Sequence, residues 1–217
     1  MKELKPRIKI CGITTIEQAL HIAELGVDAI GIISVKESPR YVSEENKKNI
    51  FQTLKNYYPN LKRVSVYKNA PLSIVSRNCY GTTVQLHGDE SINYCKDLKD
   101  LIPEIEIWKA FRVKSKNELR SIRSFENLVD AILLDSWNRG NYGGSGKRID
   151  GIDLKKLEFN KPWWLAGGVS IDWIDQILKE IKPDGIDISS SIEISPGEKD
   201  LEKTKRIIEK VKKSDEL

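Results

Sequence analysis

At 217 residues, with 39% hydrophobic and 31% charged side chains, the chain is long enough for one domain, 1–217, with a sizeable core, and it has no low-complexity tract or linker to divide it. Its net charge of +4 is spread as alternating basic and acidic residues, which argues against nucleic-acid binding; no apolar run suits a signal peptide or a bilayer span, so a cytoplasmic location and no membrane partner are expected. Cys11, Cys79 and Cys95 lie far apart without zinc-ligand spacing, which argues against a disulfide framework or a metal site.

Short runs rich in β-branched residues recur between longer segments of helical period, the pattern of repeated βα units around a parallel sheet. The first expected strand, 8–10, is followed by a segment whose Ile16, Ala19, Leu20 and Ala23 share one face, with Thr14 and Glu17 spaced as a capping box. Strands are then expected at 29–33, 63–67, 83–86 and 106–111, with a helix start at Ser115-Lys116-Asn117-Glu118. The sixth strand, 131–134, leads into a Gly-rich loop over 140–146 and only a short possible helix near 153–157. Strands at 163–166 and 185–188 follow, with Ser170 opening one helix and an amphipathic helix over 200–212 closing the chain. Eight such units in this length predict an α/β fold, a single (β/α)8 TIM barrel, whose active site lies at the C-terminal ends of the strands.

The residues after the strands form a polar set: Cys11-Gly12, Ser38-Pro39-Arg40, Asn69, His87-Gly88-Asp89, Arg112, Asp135, Gly167-Gly168 and Ser189-Ser190. Each has a plain structural alternative. A cysteine there is often an inert buried hydrophobe, and an aspartate often a helix cap or turn former. His87 could hydrogen-bond a ligand or be satisfied by backbone, while exposed solvation suffices for His21. Lys9 and Asp187 are neighbours in a closed barrel, either as a structural ion pair or as a ligand contact. Three segments suit a phosphate: Gly143-Gly144-Ser145-Gly146, Ala166-Gly167-Gly168, and Ser189 to Glu193, where Ser190 and Glu193 are spaced as a capping box opening a short extra helix. Gly143 to Lys147 is not a nucleotide-binding P-loop, because Asn141 and Arg148 stand where Gly and Ser or Thr are needed.

Lys9-Ile10-Cys11-Gly12-Ile13-Thr14, Ser38-Pro39-Arg40-Tyr41-Val42, Gln85-Leu86-His87-Gly88-Asp89-Glu90, Leu133-Leu134-Asp135, Gly143-Gly144-Ser145-Gly146-Lys147, Leu165-Ala166-Gly167-Gly168 and Asp187-Ile188-Ser189-Ser190 occur together in this order. In this the chain resembles the phosphoribosylanthranilate isomerase family nearly end to end. The resemblance implies an Amadori rearrangement of a small phosphosugar in tryptophan biosynthesis, without cofactor or metal. It implies Cys11 as general base, Asp135 as general acid and Arg40 as the anthranilate carboxylate's partner. His87, Asp187, Gly143, Gly144, Gly146, Gly167, Gly168, Ser189 and Ser190 are the expected remaining substrate contacts. Ser34 and Val35 stand where the family usually has aromatic residues, Ser191 where it has Gly, and Gly151 where Trp is common.

Those roles set ionisation requirements. A free thiol of pKa about 8.5 is only about 3% thiolate at neutral pH, and a free aspartic acid of pKa about 3.9 is about one part in a thousand protonated. Burial is therefore expected to raise the pKa of Asp135, and Lys9 to lower that of Cys11. Two other readings compete. A histidine-pathway phosphosugar isomerase typically pairs two aspartates, which Cys11 argues against; a silent phosphate-binding barrel would not need both Cys11 and Asp135.

Overall fold

The computed structural model describes residues 6–113, 116–135 and 154–213. Eight strands, β1 (Arg7–Cys11), β2 (Ala29–Ile33), β3 (Lys62–Tyr67), β4 (Thr83–Leu86), β5 (Glu106–Arg112), β6 (Ala131–Asp135), β7 (Trp163–Ala166) and β8 (Gly185–Ile188), close in sequential order into a parallel barrel. Helices α1 (Ile16–Glu24), α2 (Glu44–Tyr57), α3 (Leu72–Arg77), α4 (Ile92–Leu101), α5 (Lys116–Ile122), α6 (Ile174–Gln176) and α7 (Leu201–Lys212) lie between and after them. Each expected strand is present to within one residue at either end. Among the described residues no helix is long and apolar enough to cross a membrane.

Strand alternation divides the core into two shells. Ile8, Ile10, Ile30, Ile32, Val84, Leu86 and Ile107 point outward and pack under the helices. Cys11, Ala29, Val64, Val66, Trp108, Ala110, Leu133 and Trp164 point inward. Trp108 and Trp164 stack with ring centroids 4.7 Å apart and fill the lower interior. A Cβ at Gly185 would lie 2.4 Å from the Trp164 ring, so the glycine makes room for that indole.

At the opposite end from the site, one device repeats four times. The residue just before each even strand accepts a hydrogen bond from the backbone near the start of the preceding odd strand: Asp28 from Ile8 N–H at 2.7 Å, Thr82 from Arg63 at 3.0 Å, Asp130 from Ile107 at 2.8 Å and Asp184 from Trp163 at 2.9 Å. These bonds satisfy strand-start donors that the barrel ladder leaves over.

Three local expectations are corrected. Helix α1 is capped by Thr15, whose hydroxyl accepts from Gln18 N–H at 3.2 Å, while Thr14 donates to Gly197 C=O at 2.7 Å. Ser170 opens a turn rather than the helix itself; α6 begins at Ile174 and runs into a π-helical turn, Ile177–Ile181. Ser190 to Glu193 is not a capping box: Ser190–Ile192 is a single 3-10 turn without a side-chain cap, and Glu193 starts a short antiparallel hairpin, β9 (Glu193–Ser195) with β10 (Glu198–Lys199). The start of α5 at Ser115 lies outside the described residues. The anticipated short helix after β6 is a 3-10 turn over Leu154–Lys156, and α7 is capped by Asp200 as its pattern requires.

Candidate active site

Cys11 ends β1 with its side chain turned inward, two residues after Lys9 on the same face. Both fit because Gly31 on neighbouring β2 has no Cβ; one built there would stand 2.7 Å from the Cys11 sulfur and 3.1 Å from Lys9 Cε. Lys9 is fully buried and pairs with Asp187, directly across on β8, at 2.8 Å. The other Asp187 oxygen, Oδ1, is buried without a hydrogen-bond partner, and Asp187 also lines the cavity at the barrel mouth. The ion pair and an available acceptor are thus two halves of one carboxylate.

Burial pushes the Cys11 thiol above its ordinary pKa, and the nearby Asp187 charge acts in the same direction. Lys9 and Lys199 oppose the shift without overcoming it. This corrects the expectation of a lowered thiol: the cation is where it was expected and has the expected sign, but desolvation is the larger effect. Burial would likewise depress the Lys9 ammonium, yet Asp187 and Cys11 hold it above its usual value.

Asp135 ends β6, which lies across the mouth from β1 with β7 and β8 between them. Its Oδ2 is 3.0 Å from Nε2 of His87, and Nδ1 of the same imidazole is 2.9 Å from Gln85 Nε2. The ring of His87 is therefore engaged by the aspartate rather than by backbone. Gln85 escaped sequence reading because it sits mid-strand in β4; its inward alternation with His87 was the available signal. The proton positions follow the amide: if Gln85 donates to Nδ1, then Nε2 carries the hydrogen directed at Asp135.

The loops after β7 and β8 complete the wall. Gly167 and Gly168 both have left-handed φ angles, +75° and +74°, conformations that favour glycine. Ser189 donates to Cys11 C=O at 3.0 Å, and Ser191 to Val169 C=O at 2.5 Å, tying the two loops to the barrel rim. Arg40 has a partner that the sequence did not reveal: its Nε and Nη2 donate to the two oxygens of Glu193 at 2.8 and 2.5 Å. Ser34 turns its hydroxyl to the buried Lys47, at 2.8 Å, and Lys47 also reaches the Tyr67 hydroxyl at 2.8 Å.

One cavity of about 380 Å³ is lined by Cys11, Arg40, His87, Asp135, Gly167, Gly168, Asp187, Ser189 and Ser190. Gly143, Gly144 and Gly146 lie outside the described residues. Cys79 and Cys95 belong to the outer helical layer, Cys95 fully buried in α4, and His21 is exposed on α1. Such a cavity joins a thiol and a carboxyl on opposing strands to a rim with glycine and serine on one side and an arginine on another. It can accept a small anionic sugar and move protons at two of its positions.

Residues 8–210 match the family model described as N-(5'phosphoribosyl)anthranilate (PRA) isomerase. The N-(5'-phosphoribosyl)anthranilate isomerase of Synechococcus elongatus is 42% identical over 199 residues, covering 91% of this chain and 92% of that protein. The enzyme of that name from Crocosphaera subtropica is 39% identical over 210 residues, covering 95% and 99%. Among solved structures, phosphoribosyl anthranilate isomerase from Thermotoga maritima superposes with a TM-score of 0.81 at 31% identity, covering 95% of this chain and 98% of that one. A structure of such an isomerase in complex with reduced 1-(o-carboxyphenylamino)-1-deoxyribulose 5-phosphate gives 0.80 at 28% identity, with coverage of 95% and 98%. The barrel, its strand-end residues and these likenesses agree, and the chain belongs to the phosphoribosylanthranilate isomerase family of enzymes.

Proposed function

We propose that this chain converts N-(5'-phosphoribosyl)anthranilate to 1-(2-carboxyphenylamino)-1-deoxyribulose 5-phosphate in tryptophan biosynthesis, with Asp135 as general acid and Cys11 as general base. The observation that carries the reading is the placement of these two side chains on the ends of β6 and β1, lining one cavity. Asp135 gives a proton to the ribose ring oxygen, the ring C–O bond breaks, and the anomeric carbon becomes a protonated Schiff base. Cys11 then takes the proton from the sugar's second carbon, and the electrons of that C–H bond flow toward the iminium nitrogen to leave an enolamine. Return of a proton to the first carbon, as the second becomes a carbonyl, gives the ketose. One acid and one base suffice, and together they supply about 10⁴ to 10⁸ in rate.

The other residues hold the substrate. Backbone N–H groups around Gly167 and Gly168, with Ser189 and Ser190, cradle the phosphate, and Gly143, Gly144 and Gly146 are assigned to the same substrate by their glycine-rich sequence. Asp187 Oδ1, lacking a partner, accepts from a sugar hydroxyl, and Arg40 receives the anthranilate carboxylate. His87 orients Asp135 and contacts the sugar beside it. In this scheme no step draws on a cofactor or a metal ion, and the enzyme acts in the cytoplasm. The test is turnover of phosphoribosylanthranilate by the purified chain in excess chelator, followed by loss of substrate fluorescence. Rapid conversion to the ketose supports the reading; no conversion above the uncatalysed rate leaves a binding barrel in its place.

A further inference from the structure

Arg40 reaches the cavity with one side of its guanidinium already closed. Glu193 Oε1 and Oε2 take the Nε and Nη2 hydrogens in parallel, the side-on geometry of a fork matched to a carboxylate. The glutamate is itself pinned: Lys199 Nζ lies 2.7 Å from its Oε1, and Gly197 N–H donates to the same oxygen at 3.3 Å. Lys199 is buried and spends a further hydrogen on Ser189 C=O at 3.1 Å. Arg40 is also packed from below. Its Cδ crosses directly over Gly12, where a Cβ would stand 2.6 Å away, and Gly12 has a left-handed φ of +81°.

We infer that Glu193, anchored by Lys199 on the β9–β10 hairpin, is a positioning residue that holds Arg40 side-on and so presents the guanidinium's outer Nη1/Nη2 edge to the substrate's carboxylate, end-on. The inference rests on the reading of Arg40 as the carboxylate's partner and says how that recognition is built. A guanidinium has five N–H donors, and a side-on carboxylate leaves three, two on Nη1 and one on Nη2, enough for a second bidentate pair along the end. Arg40 keeps a fifth of its side-chain surface exposed while Glu193 is 95% buried, so the open edge belongs to the arginine and not to its partner.

Charge supports the same arrangement. Burial would raise the Glu193 carboxyl, but hydrogen bonds from Arg40 and Lys199 hold it below its usual range, and the pairing in turn holds Arg40 above its own. Two cations around one anion leave a single net positive charge. That suits a monoanionic carboxylate better than a dianionic phosphate, for which the glycine and serine loops are the stronger site. A substrate with an anion at each end is thereby given one direction of entry. Without Glu193, Arg40 would be free to turn toward the phosphate or Asp135.

The test compares two competitive inhibitors, reduced 1-(o-carboxyphenylamino)-1-deoxyribulose 5-phosphate and its phenylamino counterpart without the carboxyl group. Inhibition constants are measured on the native chain, Arg40→Ala, Glu193→Gln and Glu193→Asp. The expected result is that Arg40→Ala and Glu193→Gln each shrink the preference for the carboxylated ligand by at least about tenfold. The phenyl ligand should stay within about threefold throughout, and Glu193→Asp, which keeps the charge, should restore part of the preference. If Arg40→Ala removes the preference and neither glutamate variant alters it, the positioning role is wrong while the reading of Arg40 stands. If Arg40→Ala itself leaves the preference intact, the reading of Arg40 fails and takes this inference with it. Equal weakening of both ligands in the glutamate variants would show a merely structural part and also overturn it.

Discussion

The imidazole of His87 stands between Gln85 and Asp135, with Nε2 3.0 Å from the aspartate and Nδ1 2.9 Å from the amide. In its proposed role as acid, Asp135 gains from a partner that fixes its orientation, and Gln85, fully buried on β4, fixes the partner. Leaving a partly buried polar group without its hydrogen bond costs about 1 to 3 kcal/mol. His87→Ala is therefore expected to lower kcat by about 10- to 100-fold with a smaller change in KM, and Gln85→Leu to do the same more weakly. Steady-state kinetics on both variants checks this; a change confined to KM would assign His87 to binding alone.

The thiol of Cys11 sits in an environment that favours its protonated form, since burial raises its pKa and Lys9 only partly compensates. Reaction with iodoacetamide requires the thiolate, so alkylation of Cys11 should continue to accelerate with rising pH beyond the point where a free thiol levels off. Lys9→Met removes the opposing cation but leaves Asp187, so the curve should move further toward high pH. Mass spectrometry of the Cys11 peptide separates this signal from Cys79 and from Cys95, whose own pKa is pushed up to about 11 by burial. A titration midpoint below that of a free thiol would mean that the neighbouring cations outweigh burial.

The Lys9 and Asp187 pair crosses from β1 to β8 inside the barrel, fully out of solvent on the lysine side. Breaking a buried pair by deleting one partner leaves an uncompensated charge, at a cost of about 3 to 5 kcal/mol. Lys9→Met should destabilise the chain by about that much in urea unfolding, whereas Lys9→Met combined with Asp187→Leu should recover most of the loss. Additive losses in the double variant would mean that the pair is not coupled.

Gly31→Ala tests the packing that turns the Cys11 thiol, the proposed base, inward. The added Cβ would meet the Cys11 sulfur at 2.7 Å and the Lys9 ammonium at 3.2 Å, so both must shift. The expected outcome is a loss of kcat of at least about tenfold with the barrel still folded by circular dichroism, because an ångström of misplacement at a reacting group is costly. Native kcat in the variant would show that the thiol's placement is not demanding.

Much of this architecture was legible in the chain because parallel barrel strands are covered on both faces and read as continuous runs such as Ala29-Ile30-Gly31-Ile32-Ile33. The candidate site was legible where its lining stands at strand ends: Cys11, His87 and Asp135 are each polar residues just beyond apolar ones and line one cavity. What stayed hidden was set by partners remote in sequence. Arg40 and Glu193 are separated by 153 positions, and nothing local says that the glutamate turns to the arginine rather than back to a helix start. The β9–β10 hairpin has no apolar alternation to announce it, and its turn and its second strand are held by one side chain of α1: Gln18 donates to Gly197 C=O at 3.2 Å and accepts from Lys199 N–H at 3.3 Å. Asp28, Thr82, Asp130 and Asp184 look like ordinary turn residues until the strands they serve are in place. The direction of the Cys11 thiol shift is not legible in the sequence, which reveals a charge nearby but not the depth of burial that opposes it.

The assignment of the two proton transfers to Asp135 and Cys11 is decided by single-turnover fluorescence of phosphoribosylanthranilate with Asp135→Asn and Cys11→Ala, alongside the dissociation constant of the reduced product analogue. Each variant is expected to bind the analogue within about tenfold of the native chain, while the chemical step slows by at least about 100-fold. Near-native single-turnover rates in both variants would place the proton transfers on other groups.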